Sequence, residues 1–134
     1  MSWLIPTICV VVTLAIAGSF AWHNTRRQIR DLQERRPNPA RDEFLAMMEA
    51  DVSPEAAAFL WNTTLIYLRP DLTPHPDDNL AIDLPILEED WILDWPRDFA
   101  REQGLVESNL PDWPEGWQPT VRNYGRWLSL GLTG

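Results

Sequence analysis

Hydrophobic positions fall into one unbroken block and four periodic stretches along the 134 residues. The block is residues 3–22, WLIPTICVVVTLAIAGSFAW, and carries no charge. Twenty helical residues rise about 30 Å, the thickness of a bilayer core. Trp3 and Trp22 stand at its two ends, where indole rings prefer the headgroup level. Pro6 falls in the first turn, where a missing N–H costs little. The block therefore predicts a single transmembrane anchor with the lipid bilayer as its partner. A cleaved signal peptide would have charge ahead of the block and a small-residue cleavage site. Ala15-Ile16-Ala17 has the second feature, but the charges follow the block. A buried core helix would need a larger protein around it.

The next residues, HNTRRQIRDLQERR, predict a helical extension to about Arg35 with Arg26, Arg27 and Arg30 as a collar at the membrane interface. By the positive-inside rule the expected topology is N-terminus outside, with the following domain on the cytoplasmic side of a bacterial inner membrane. Pro37 and Pro39 predict a short stiff linker. The expected organisation is anchor and basic helix 1–36, linker 37–41, and domain 42–134.

The four periodic stretches all have helical spacing. In 42–50 the inward positions are Phe44, Leu45 and Met48. Ser53-Pro54-Glu55 is a helix start: a capping hydroxyl, a proline at the first helical position and an acid in the first turn. That helix runs to about Leu68. In 86–103, Leu87, Trp91, Trp95 and Phe99 recur every four residues, with Ile92 beside them and Gly104 as C-cap. Pro96 lies inside this stretch and predicts a kink or break after Trp95. The last helix begins at Thr120 and turns Val121, Tyr124, Trp127 and Leu128 inward. Pro70, Pro74 and Pro76 mark 69–85 as a loop, pinned to the core by its leucines. The predicted fold class is all-α: one transmembrane helix followed by a small bundle of about four helices.

Charge divides the chain sharply. Residues 1–41 hold six Arg against Asp31 and Glu34, a net of +4; residues 42–134 hold five Arg against eighteen Asp and Glu, a net of −13; together they make the overall −9. So acidic a domain disfavours nucleic acid and favours a basic protein partner. There is no Lys, which excludes Schiff-base chemistry and a P-loop lysine. The lone Cys9 lies in the apolar block, so no internal disulfide forms. His23 and His75 lack neighbours at metal-ligand spacing, and no cofactor is expected. Oligomeric state is left open.

In LTPHPDDNLAIDLPILEEDW followed by DFAREQGL, the order of parts resembles the acyl-carrier-protein fold, in particular bacterial acyl-carrier-like domains of unknown function. The resemblance spans roughly 53–130. It implies a helix, a long ordered loop, a second helix that begins at the functional site, and a closing helix. It also implies a phosphopantetheine-bearing serine at the start of that second helix. No serine occurs between Ser53 and Ser108, so the carrier chemistry is absent. What the resemblance leaves is an acidic docking helix, with Glu88, Glu89, Asp90, Trp91 and Asp94 as the partner-binding residues. The expected function is a membrane-anchored, non-catalytic interaction module. Two other readings stay open: an immunity protein that neutralises a toxin at the membrane, and a small metal-dependent hydrolase using Asp77, Asp78, Glu88, Glu89, Asp90 and Asp94. Trp113 and Trp117, between prolines in PDWPEGWQP, are either interface anchors or rings folded back over the core.

Overall fold

The structure, a computed structural model, describes residues 25–133. The anchor expected over 3–22, with Trp3 and Trp22, lies outside them. Residues 25–35 form helix α1. Then come α2 (Arg41–Met48), α3 (Pro54–Leu68), a π-helical turn (Asp90–Asp94) running into α4 (Trp95–Gln103), and α5 (Val121–Leu132). Among the described residues there is no strand, only an isolated bridge between Asn79 and Thr120.

The local signals act where the sequence puts them. Ser53 Oγ accepts the Ala56 N–H at 3.2 Å and Thr120 Oγ1 accepts the Asn123 N–H at 3.1 Å, each satisfying one otherwise unpaired donor of a first turn. Gly104 closes α4 at φ 68°, a left-handed conformation that costs glycine little. Helix α3 buries a broad face, Ala56, Ala57, Phe59, Leu60, Trp61, Thr64 and Leu68, and packs between α2 and α5. Phe44 and Met48 of α2, Phe99 of α4, and Tyr124 and Leu128 of α5 join the same core. Gly125 lets α5 approach closely: a Cβ there would stand 2.8 Å from Val52 Cγ1.

The fold class expected from sequence needs correction. Among the described residues no helix is long and apolar enough to cross a membrane. The 15-residue α3 rises only about 22 Å. Among the described residues the structure is a small bundle of five helices, in place of the expected transmembrane helix with about four helices beyond it, and none of these helices supports the single-pass membrane reading. Helix α1 belongs to this bundle. Its Leu32 is buried in the common core, Gln28 Nε2 donates to Ile82 O, and Gln33 Nε2 donates to Asp71 O.

Two ion pairs tie the end of α1 to the loop, Arg35 with Asp83 at 3.4 Å and the more buried Arg36 with Asp78. Asp78 is 2% exposed, and the Arg36 side chain 11%. Arg36 Nη2 donates to Asp78 Oδ2 at 2.9 Å. Nε approaches Oδ1 at 2.6 Å as an ion-pair contact, out of hydrogen-bond alignment. Burial pushes the Asp78 carboxyl up, while the Arg36 guanidinium and the His75 N–H pull it the other way. The loop itself is strapped across the start of α5: Leu80 N–H donates to Pro119 O, and Val121 N–H to Asp78 O. Leu80 and Leu84 are buried and Ile82 is exposed, so the leucines do pin the loop.

Candidate functional site

The acidic stretch before α4 is the natural place to begin. Residues 88–103 form one continuous helical run, broken in character but not in path. Pro96 has no N–H, and in a regular helix its ring meets the carbonyl four residues back. The chain responds with a π turn one turn earlier, where the Trp95 N–H reaches back five residues to Asp90 O. The sequence predicts a kink or break after Trp95; the wide turn is how the helix absorbs the proline.

The π turn changes which residues face the core. It puts the positions before it one residue out of register with those after it, about 100° of rotation. Trp95 and Phe99 are buried, but Leu87 is 70% exposed, Leu93 61% and Ile92 47%. Of the four-residue stripe, Trp95 and Phe99 are buried, Trp91 is half-buried against the core, and Leu87, which precedes the helical run, is exposed.

Trp91 and Ile92 meet a set of rings from the other end of the chain. Trp91, Ile92, Trp113, Pro119, Tyr124 and Trp127 line an open cavity of about 420 Å³, within the usual range for ligand sites. Its walls are almost wholly carbon. Trp113 packs on Tyr124 and Trp127 with centroids 6.0 and 5.7 Å apart, and Tyr124 on Trp127 at 5.4 Å. Trp113 also meets Trp117 edge-on at 6.1 Å, and the Arg126 guanidinium lies 4.1 Å over the Trp117 ring. The PDWPEGW segment therefore folds back over α5, and in doing so makes a wall.

The polar tips of these rings are nearly all used internally. Trp113 Nε1 donates to Trp117 O at 3.0 Å, and Trp127 Nε1 to Pro111 O at 2.8 Å. Tyr124 OH donates to Trp91 O, and burial pushes its ionisation far above the ordinary range. Trp91 is the exception: its Nε1 is buried and has no acceptor. A buried donor without a partner costs about 1–3 kcal/mol.

The predicted docking residues are placed as follows. Glu88 and Glu89 are exposed at the helix start. Asp90 is partly buried and accepts from Tyr67 OH at 2.8 Å. Asp94 pairs with Arg97 at 3.1 Å. Trp91 leaves the acidic row to line the cavity. Arg26 and Arg30 border a shallow cavity with Ile29, Gln33 and Asp71, and Arg27 is exposed on α1. Of the acids a hydrolase would need, Asp78 is committed to Arg36. Among the described residues no group of three His, Cys, Asp or Glu is placed to hold a metal.

Tyr124, Trp127 and Pro119 are missed as site residues by sequence reasoning. Helical spacing marks Tyr124 and Trp127 as inward, and nothing in it distinguishes a ring that fills the core from one that borders an opening. No known protein family, no curated protein and no solved structure matches this chain.

Proposed function

We propose that this protein is a non-catalytic interaction module that docks a basic protein segment on the aromatic cavity and the acidic helix start beside it. The observation that supports this best is the juxtaposition of two surfaces on residues 87–93. One is apolar, made of the exposed Leu87, Ile92 and Leu93 with the half-buried Trp91; the other is the exposed carboxylate pair Glu88 and Glu89. Exposed apolar side chains grouped with tryptophans are characteristic of binding surfaces. The net charge of −13 over 42–134 supplies the attraction for a basic partner and its steering. The cavity walls present rings where a hydrolytic site presents titratable groups.

The test is a titration of the full chain with arginine-rich peptides that carry an apolar residue, followed by tryptophan fluorescence. Glu88→Arg/Glu89→Arg is expected to weaken binding at least tenfold with an unchanged circular dichroism spectrum, and added salt to weaken it in the wild type. Unchanged affinity in the charge-reversed protein would sink the reading.

A further inference from the structure

The π turn has few fastenings. Its five residues, Asp90–Asp94, are all exposed or half-buried, whereas Trp95, Pro96, Phe99 and Ala100 of α4 are buried. Its close backbone contacts are to α4, the helix it runs into. Its backbone is also short of a donor. Trp91 O would accept from residue 95 in an α register, or from residue 96 in a π register. The Trp95 N–H goes to Asp90 O instead, and Pro96 has no N–H. The missing donor comes from another helix: Tyr124 OH of α5 donates to Trp91 O. Tyr67 OH of α3 donates to Asp90 Oδ2 at 2.8 Å. The chain has only two tyrosines, and both hydroxyls hold this one turn.

Trp91 and Ile92 of this turn are also two of the six residues that line the aromatic cavity, opposite a wall from the other end of the chain. A segment with little buried surface, ended by a proline that interrupts the hydrogen-bond ladder, opens at lower cost than the packed helices around it. Wide turns of this kind inside helices recur at functional sites. We propose that residues 87–94 form a flap hinged at Pro96 and latched by Tyr124 and Tyr67, whose lifting opens the aromatic cavity. Tyr124 is the stronger latch, because it replaces a bond that the helix itself cannot make. Tyr67 holds a side chain, and the Asp90 carboxylate turns to water when that bond breaks. The flap moves whether or not a partner is present, so its test needs no ligand, and its failure leaves the docking reading in place.

Hydrogen exchange of the full chain, followed by nuclear magnetic resonance, reads the motion at two places. One is the Trp95 amide, bonded to Asp90 O across the turn. The other is the Trp91 indole N–H, which is buried without an acceptor, so water reaches it only when the packing around it opens. Each is expected to be protected at least about tenfold less than the Phe99 amide, relative to its rate in a free peptide. Each is also expected to exchange with little dependence on dilute urea, because lifting a flap exposes little surface. Tyr124→Phe is expected to speed both about tenfold, the factor for one hydrogen bond, and to leave that weak urea dependence unchanged. Pro96→Ala supplies an N–H within reach of the Trp91 or Ile92 carbonyl and is expected to slow both by about threefold or more. In that background Tyr124→Phe is expected to speed them less than about threefold, since the helix now makes its own bond. Exchange of the wild-type Trp95 amide only by global unfolding, with the urea dependence of the α3 amides, overturns the flap. Unchanged rates in Tyr124→Phe, or a full tenfold effect persisting beside Pro96→Ala, overturn the latch. Should Tyr124→Phe fail to fold, the wild-type urea dependence and the rates in Pro96→Ala decide: unslowed exchange in Pro96→Ala overturns the hinge.

Discussion

Replacing Asp78 by alanine tests whether the buried ion pair holds α1 and the loop together. The carboxylate is 2% exposed and makes three contacts. They are Arg36 Nε at 2.6 Å, Arg36 Nη2 at 2.9 Å and the His75 N–H at 3.0 Å. Asp78→Ala leaves the His75 N–H without its acceptor. It also leaves a guanidinium that is 11% exposed without a counter-charge. Removing one member of a buried pair costs about 3–5 kcal/mol, mostly because the other charge stays behind. Arg36 retains bonds to Pro37 O, Asn38 Oδ1 and Thr73 O, so the low end, about 3 kcal/mol, is expected. Urea denaturation measures it, with an unchanged slope showing that only stability has moved. The double variant Asp78→Leu/Arg36→Met removes both charges and is expected to recover to within about 1 kcal/mol of wild type. Hydrogen exchange should show α1 amides losing protection in Asp78→Ala before those of α3. A loss below about 1 kcal/mol would refute the reasoning. It would mean that the guanidinium swings into water and that Leu32, the glutamines and the Arg35–Asp83 pair hold α1 without it.

Two further outcomes follow from packing and titration. At Gly125 an added Cβ would stand 2.8 Å from Val52 Cγ1, 3.0 Å from Met48 Cε and 3.1 Å from Leu60 Cδ1. Gly125→Val is therefore expected to cost about 3 kcal/mol by overpacking, read by thermal or urea unfolding, and a loss under about 1 kcal/mol would show the interface to be slack. The only two tyrosines both resist ionisation: burial and the bond to Asp90 push Tyr67 up to about 12, and burial pushes Tyr124 higher still. A folded-state value above the unfolded one means that the native protein holds the proton more tightly. The contribution of Tyr67 is thus fully present below its ordinary value of 10.0 and is lost as pH rises toward about 12. Tyrosinate absorbance should stay flat to about pH 11 and then appear with unfolding; a midpoint near 10 for both residues in the folded protein would contradict the structure.

The sequence alone determined the features that depend on near neighbours. Ser53-Pro54, Thr120 and Gly104 mark helix ends because capping is settled within one turn, by a hydroxyl or by a residue free of a Cβ. Leu80 and Leu84 mark a pinned loop, since three prolines prevent 69–76 from continuing a helix. The acids at 88–90 are legible as a helix start for the same local reason. The tertiary structure decided everything that rests on which surfaces meet. The arginine-rich stretch at 25–36 reads as a collar by charge, yet Leu32 and Arg36 bind it to a loop some forty residues on, and no rule of spacing joins those partners. Leu87, Trp91, Trp95 and Phe99 read as one stripe because helical periodicity assumes an unbroken helix. The structure buries Trp95 and Phe99, half-buries Trp91 and leaves Leu87 exposed ahead of the helix. The aromatic cavity has the half-buried Trp91 as one wall. Its other walls come from residues 113–127, and only the packed fold brings them opposite Trp91.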